Sequence, residues 1–280
     1  MEKDLAIVAD GGGMKCSYSA GVLCGLAKHH NLREPEFLIG SSGSTGSLAY
    51  YLAQQYAGLE NMWINLLVLN RFIAFKRLNK IMDIDYLVDE VFKKQEPLGI
   101  ERLRNSKTKL FISATEYDSG NVKFFTNHMS GDIFEYLRAS KAIPVVFNKK
   151  VRIEGIDYID GAISAPLAVN IKKIISKGVK NIIVIQDGEV DSRLTQMFWK
   201  GYSFFVNKGL RSTINRKLKQ GDSTLLNFPN VNILFVSPSK KLKISFLDNN
   251  RENLKNSFGL GLEDAKSNKE IKTFLDSLAK

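Results

Sequence analysis

The sequence predicts an α/β fold, a three-layer α/β/α arrangement around a mostly parallel central sheet. Three observations carry that expectation. Leu5–Ala9 (LAIVA) is a short apolar run that meets Asp10-Gly11-Gly12-Gly13, and a helix-period stretch from about Tyr18 to His29 follows. Phe37-Leu38-Ile39 runs into Gly40-Ser41-Ser42-Gly43-Ser44, and a second helix-period stretch follows through Leu48, Ala49, Leu52, Ala53 and Tyr56. Asn181–Gln186 (NIIVIQ) and Asn232–Val236 are again short apolar runs next to helical patterns. Strands that alternate with helices read as a parallel sheet buried on both faces.

The other elements are read in chain order. Leu59–Leu78 is apolar around most of its circumference, with Trp63, Phe72 and Phe75. It reads as a buried core helix or, alternatively, as a wall or lid over an apolar pocket. Ile84–Phe92 is an amphipathic helix, and Lys109–Thr115 and Val122–Thr126 are strands around Asp118-Ser119-Gly120-Asn121. Asp132–Ala142 is a helix that Ala142-Ile143-Pro144 stops. Lys150–Ile153 and Ile156–Ile159 form a hairpin around Gly155, which delivers Asp160-Gly161-Ala162. Helix Leu167–Ser176 follows, and two helices about Arg251–Lys266 and Asn268–Leu278 close the chain.

At 280 residues the chain can bury a sizeable core. With no repeat and no low-complexity linker, it reads as one domain over 1–280. Residues 1–187 form its core, and 188–280 supply a basic helical segment, a strand and helices packed on it. Hydrophobic content of 44% and charged content of 25% are ordinary for a globular protein. Cys16 and Cys24 lie too close in sequence for a disulfide framework, which implies a reducing compartment. The N-terminal MEKDLAIVAD has too short an apolar run for a signal peptide, and no stretch approaches the ~18 unbroken apolar residues of a membrane span. The expected location is the cytoplasm, with contact at a membrane surface as an option. A net charge of +11 favours an anionic partner, either phospholipid headgroups or nucleic acid.

Two turns carry candidate chemistry. A serine at a strand-to-helix corner projects beyond the strand end, where the next helix's first N–H groups point. Ser42 has Gly40 two before it and Gly43 after it, the small residues that such a corner needs. Ser44, with Gly43 before and Gly46 two after, is the other reading of the nucleophile. The Gly11-Gly12-Gly13 loop leaves main-chain N–H groups uncovered, able to hold a phosphate or an oxyanion. It lacks the third glycine of a dinucleotide loop and the Gly-Lys-Ser/Thr of a phosphate loop. A serine nucleophile needs a base. The histidines are His29, His30 and His128, none of them in a distinct motif. A triad through His128 stays open, as does a carboxylate base. A carboxylate of ordinary pKa, about 3.9, is a poor base, so it must be desolvated. Tyr158, Ile159 and Ile163 around Asp160 would provide that setting.

Three segments in this order resemble the patatin-like phospholipase family: Asp10-Gly11-Gly12-Gly13-Met14-Lys15, the Gly40-Ser41-Ser42-Gly43 elbow, and Asp160-Gly161-Ala162. Leu137-Arg138-Ala139-Ser140-Lys141-Ala142-Ile143-Pro144 is similar to it too, and the tail Ile233–Ala265 is similar to its bacterial branch. The likeness covers roughly 1–187 well and the rest more loosely. It implies a lipid acyl hydrolase with a Ser42–Asp160 dyad and an acyl-enzyme intermediate, without histidine. Gly12, Gly13 and Gly43 would hold the oxyanion, with Gly11, Lys15, Gly40 and Gly161 in support. The pattern departs at Cys16 and Ser44, where the family usually has glycine. The alternative is a weak or inactive relative that binds a membrane or a partner.

No Cys/His/Asp cluster has ligand spacing, so the reading calls for no metal and no cofactor. Residues 193–245 carry ten Lys/Arg against one acid, Asp222, together with Phe198, Trp199, Tyr202, Phe204 and Phe205. Such a segment suits the surface of an anionic bilayer, or its aromatics face the core while its lysines are solvated. No nucleic-acid recognition motif accompanies the charge, so lipid is the expected partner.

Overall fold

The computed structural model describes residues 2–188, 192–220, 228 and 230–278. Its strands are β1 (Glu2–Ala9), β2 (Pro35–Gly40), β3 (Lys109–Glu116), β4 (Val122–Thr126), β5 (Val151–Ile153), β6 (Ile156–Asp160), β7 (Asn181–Ile185) and β8 (Asn232–Val236). Its helices are α1 (Ser17–His29), α2 (Gly43–Leu52), α3 (Tyr56–Asn61), α4 (Ile100–Asn105), α5 (Ile133–Lys141), α6 (Leu167–Ile175), α7 (Ser192–Ser203), α8 (Lys208–Gln220), α9 (Arg251–Ser267) and α10 (Lys269–Leu278).

The described strands form one eight-stranded sheet in the order β5-β6-β3-β2-β1-β7-β8, with β4 also paired to β3. From β3 to β8 the neighbours are parallel, and β4, β5 and β6 add antiparallel pairings at the β3 side. Alternate residues of one strand serve opposite layers, as the pleat requires. Leu5, Ile7 and Ala9 of β1 join α1, α2 and α9 on one face. Ala6 and Val8 join Leu167, Ile171 and Ile174 of α6 on the other. This is the expected mostly parallel sheet between helical layers.

Helices α1 and α9 cross at backbone contact. A Cβ on Gly21 would stand 2.0 Å from the Phe258 carbonyl oxygen, and one on Gly261 would stand 2.1 Å from that of Tyr18. Glycine is therefore required at both positions for lack of space, in spite of its poor helix propensity. Gly261→Val should push the helices apart and destabilise the protein by about 3 kcal/mol or more. A urea titration reads this as a lower midpoint at unchanged slope; an unchanged midpoint would contradict the packing described.

The stretch Leu59–Leu78 departs from the helical expectation. Helix α3 passes into a π-helical turn at Met62–Leu66, and the chain then doubles back instead of continuing. Ala74 N–H donates to the Ile81 carbonyl at 2.9 Å, and Asp83 N–H donates to the Phe72 carbonyl at 2.7 Å. Arg77 pairs with Asp83 at 3.0 Å. These non-local bonds satisfy the backbone, so the apolar run bends over the core while Phe75 and Leu78 face solvent.

Candidate active site

The sheet register brings the two predicted turns and the predicted aspartate to one place. Ala9 lies beside Gly40, and Gly40 beside Ile112 of β3. β6 runs antiparallel to β3 and ends with Asp160 beside Ala114. Two residues along a strand are about 7 Å, so the ends of β2 and β6 meet nearly head-on. A buried network braces the junction. The Ser41 and Ser113 hydroxyls share a bond of 2.6 Å, Ser113 Oγ donates to the Gly40 carbonyl at 3.0 Å, and Asn170 Nδ2 donates to Ser41 Oγ at 2.9 Å.

Ser42 sits at a sharp corner with φ 57° and ψ −128°. For a non-glycine residue this conformation costs on the order of 1–3 kcal/mol, so its surroundings must impose it. They do so from both sides. Ser42 N–H donates to Ser140 Oγ at 3.1 Å. The Ser42 carbonyl accepts Thr45 N–H at 3.2 Å and Thr45 Oγ1–H at 2.8 Å. Lys141 donates in turn to Thr45 Oγ1. Asp160 N–H donates to the Ala142 carbonyl at 3.0 Å. The end of α5 therefore ties Ser42 and Asp160 to one rigid element. Sequence reasoning noted that segment only as a likeness; the bonds it makes are non-local and leave no pattern to read.

The two candidate serines differ in setting. Ser44 Oγ is turned inward toward the carbonyls of Ala9, at 3.2 Å, and Ser41, at 3.0 Å. Ser42 lines the cavity described below, although only 4% of its surface is exposed. A Cβ on Gly40 would stand 2.6 Å from Ser44 Oγ, so Ser44 in the place of a glycine fits because Gly40 has none.

Asp160 is 3% exposed, between buried Tyr158, Ile159 and Ile163. Burial pushes its carboxyl up to about 6; the Ser42 hydroxyl, the Ala162 N–H, Lys217 and Lys141 act in the opposite direction. Oδ1 accepts the Ala162 N–H at 2.8 Å. Oδ2 is buried with no aligned donor, while the Ser42 hydroxyl is near enough to favour the ionised form. His30 Nε2 is bonded to the Ala265 carbonyl at 2.7 Å, and His128 Nε2 to that of Ser106 at 2.8 Å. Neither these nor His29 lines the cavity at Ser42.

The glycine loop packs directly on this corner. Gly11 N–H donates to Asp10 Oδ1 at 2.8 Å, and Gly12 N–H donates to Cys16 Sγ at 3.1 Å. Gly13 opens a 3-10 turn and Gly43 opens α2, so neither N–H has a partner in its own helical turn. A Cβ on Gly43 would stand 2.8 Å from the Gly13 carbonyl and 2.9 Å from Cys16 Sγ. Gly13, at φ 59°, has its own approach closed by Phe246, whose carbonyl accepts Met14 N–H at 3.1 Å. Gly161 abuts the Ser113 carbonyl, where a Cβ would stand 2.2 Å away. Lys15 is half-buried, with its N–H given to the Gly12 carbonyl at 3.2 Å.

Sequence reasoning missed Asp187, which is 3% exposed behind this loop. Its Oδ1 accepts Ser19 N–H at 3.2 Å, and burial pushes its carboxyl up to about 6. Burial and Asp187 together push the Cys16 thiol well up, which favours its protonated form. The signal was present: an acidic residue before glycine at the end of a strand, as at Asp160-Gly161.

A narrow apolar cavity of about 30 Å³ reaches Ser42. Met62, Trp63, Leu67, Phe72, Leu87 and Phe92 line it, so the 59–78 stretch does form the wall of a pocket. Lys141 is the one charged residue among its lining.

Comparison with known proteins bears on the family and the fold. Residues 7–171 match the profile of the family described as patatin-like phospholipase. The chain is similar to the uncharacterized protein YjjU of Escherichia coli (strain K12), at 27% identity over 188 residues, covering 65% of this chain and 51% of YjjU. It thus spans about half the length of that relative. Among solved structures it is similar to VipD from Legionella pneumophila, with a TM-score of 0.51 and 13% identity over 97% of this chain and 66% of VipD. At that identity the likeness is one of fold.

Proposed function

Since the chain belongs to the patatin-like phospholipase family, we propose that it is a serine-dependent lipid acyl hydrolase acting on carboxylic esters of lipids through a Ser42–Asp160 dyad. The observation that carries this reading is a strained serine beside a buried carboxyl at the end of an apolar cavity. Ser42 Oγ attacks the ester carbonyl carbon, and Asp160 takes its proton. The oxyanion lies at the Gly13 and Gly43 N–H groups. Gly12 joins them, because an oxyanion is a stronger acceptor than the thiol sulfur that its N–H meets at rest. Collapse expels the alcohol, which receives the proton from Asp160, and leaves the acyl group on Ser42. Water then attacks the acyl carbonyl and gives a proton to Asp160, and the fatty acid leaves as that proton returns to Ser42. A carboxyl raised to about 6 is ionised at neutral pH and still basic enough for this work. The whole of 1–280 acts as one unit in this reading, since α9 and Phe246 brace α1 and the glycine loop.

Labelling with a fluorophosphonate tests it. One equivalent should add to the protein, peptide mapping should place it on Ser42, and Ser42→Ala should take up none. Absence of an adduct on the folded protein would leave the alternative, a membrane- or partner-binding relative without turnover.

The substrate arrives in this reading at the surface of an anionic membrane facing the cytoplasm. Two aromatics of the basic segment support that. Phe204 is 68% and Phe205 86% exposed between α7 and α8, with Lys200, Lys208 and Arg211 exposed around them. Trp199 and Tyr202 instead pack toward Ile159, Ile163 and Leu210. Asp222 and the Phe198 side chain lie outside the described residues. No helix among the described residues is long and apolar enough to cross a membrane. Replacing Phe204 and Phe205 together by serine should weaken sedimentation with phosphatidylglycerol vesicles by about ten-fold or more, each ring being worth roughly 2 kcal/mol when buried. Unchanged sedimentation would move the contact elsewhere.

A further inference from the structure

Lys141 is costly where it stands. It is 4% exposed, and the cavity around it is built of Met62, Trp63, Phe92 and other apolar groups. An ammonium has three N–H donors. Among the described residues this one has a single hydrogen bond, to Thr45 Oγ1, and the Phe92 ring 6.0 Å from Nζ. No carboxylate lies within ion-pair distance of it in the described residues, and buried lysines without a partner are rare. Asp160 favours its charge from farther off, yet burial prevails and pushes the ammonium down to about 7.

Two bonds at the Ser42 corner do not run through this charge. Thr45 Oγ1 donates to the Ser42 carbonyl at 2.8 Å and Ser140 Oγ accepts Ser42 N–H at 3.1 Å, and both bonds hold the corner without the lysine. A methionine of similar length would fill the same volume at no desolvation cost. Two N–H donors at the wall of the cavity that reaches Ser42 call for acceptors that the protein itself does not supply.

We propose that Lys141 recognises the ligand: its ammonium meets an anionic oxygen group carried by an alkyl chain at this cavity. This rests on the reading of the cavity as the lipid site of a Ser42 hydrolase. The group has two sources, the phosphate that neighbours the ester in a phospholipid and the carboxylate of the released fatty acid. Either would give Lys141 the charge-assisted bonds that it lacks.

The test is calorimetric titration of the full chain carrying Ser42→Ala, so that nothing is turned over, with decyl phosphate, decanoate and decanol below their aggregation limits. At least one anion should bind about ten-fold or more tighter than decanol. In the Ser42→Ala, Lys141→Met double variant that preference should vanish while decanol affinity holds, and Lys141→Arg should retain part of it. The anion that wins identifies the source: the phosphate for a headgroup, the carboxylate for the product. Thermal unfolding is measured alongside, and the methionine variant should melt at or above its parent. Equal affinities for all three ligands, a preference that survives Lys141→Met, or a methionine variant that melts lower and binds nothing would each overturn the proposal. Failure of the hydrolase reading is a separate result: the parent protein would cleave neither neutral nor phosphate-bearing esters, while the binding comparison stands.

Discussion

Ser42→Ala is expected to lower kcat for ester cleavage by about 10⁵-fold or more, the scale seen when a serine nucleophile is removed. The fold should hardly register the change. The backbone bonds to Ser140 and Thr45 do not involve the deleted oxygen. Alanine and serine also share the same penalty at φ 57°. The contrast is Ser44→Ala. It removes a buried hydroxyl that serves the Ala9 and Ser41 carbonyls, so it should cost about 1–2 kcal/mol of stability and leave most of the turnover. An ester assay with a thermal melt on both variants checks the pair. Loss of turnover in Ser44→Ala alone would reverse the assignment.

Asp160→Asn is expected to lower kcat/KM by about 10² to 10⁴, the range of general-base catalysis. The parent enzyme should gain activity as pH rises through about 6, where Asp160 ionises, and the variant should lose that limb. Stability should move the other way. A carboxyl raised from 3.8 to about 6 by burial holds its proton better in the folded chain than in the unfolded one. The native state therefore loses stability as pH rises between those two values, and above them the charge costs up to about 3 kcal/mol. Asn carries no charge, so the variant should be the more stable protein at pH 8. Urea midpoints at pH 5 and 8, set beside the pH–rate profile, test both halves. A variant less stable than its parent at pH 8 would mean that Asp160 serves the fold.

The parallel sheet was legible because its strands are near-continuous apolar runs with glycine at their ends, as at Ala9-Asp10-Gly11 and Ile39-Gly40. The juxtaposition of Ser42 with Asp160 was legible only through family resemblance. No local rule says that β6 runs back along β3 to stop beside Ala114. The pocket wall was half legible: its composition was read correctly, but Ala74–Ile81 and Phe72–Asp83 bonding overrode the helical period. Asp187 and the grip of α5 on the Ser42 corner were missed because their partners, Ser19 and Ser42, lie far away in sequence.

The carbonyl of Phe246 fastens Met14, and α9 locks against α1 through paired glycines. Both ties come from beyond residue 171, where the family match stops. The region beyond the family match thus serves as a buttress for the glycine loop that abuts Ser42. A chain cut after residue 171 would lose both ties, so the loop's shape depends on residues outside the family match.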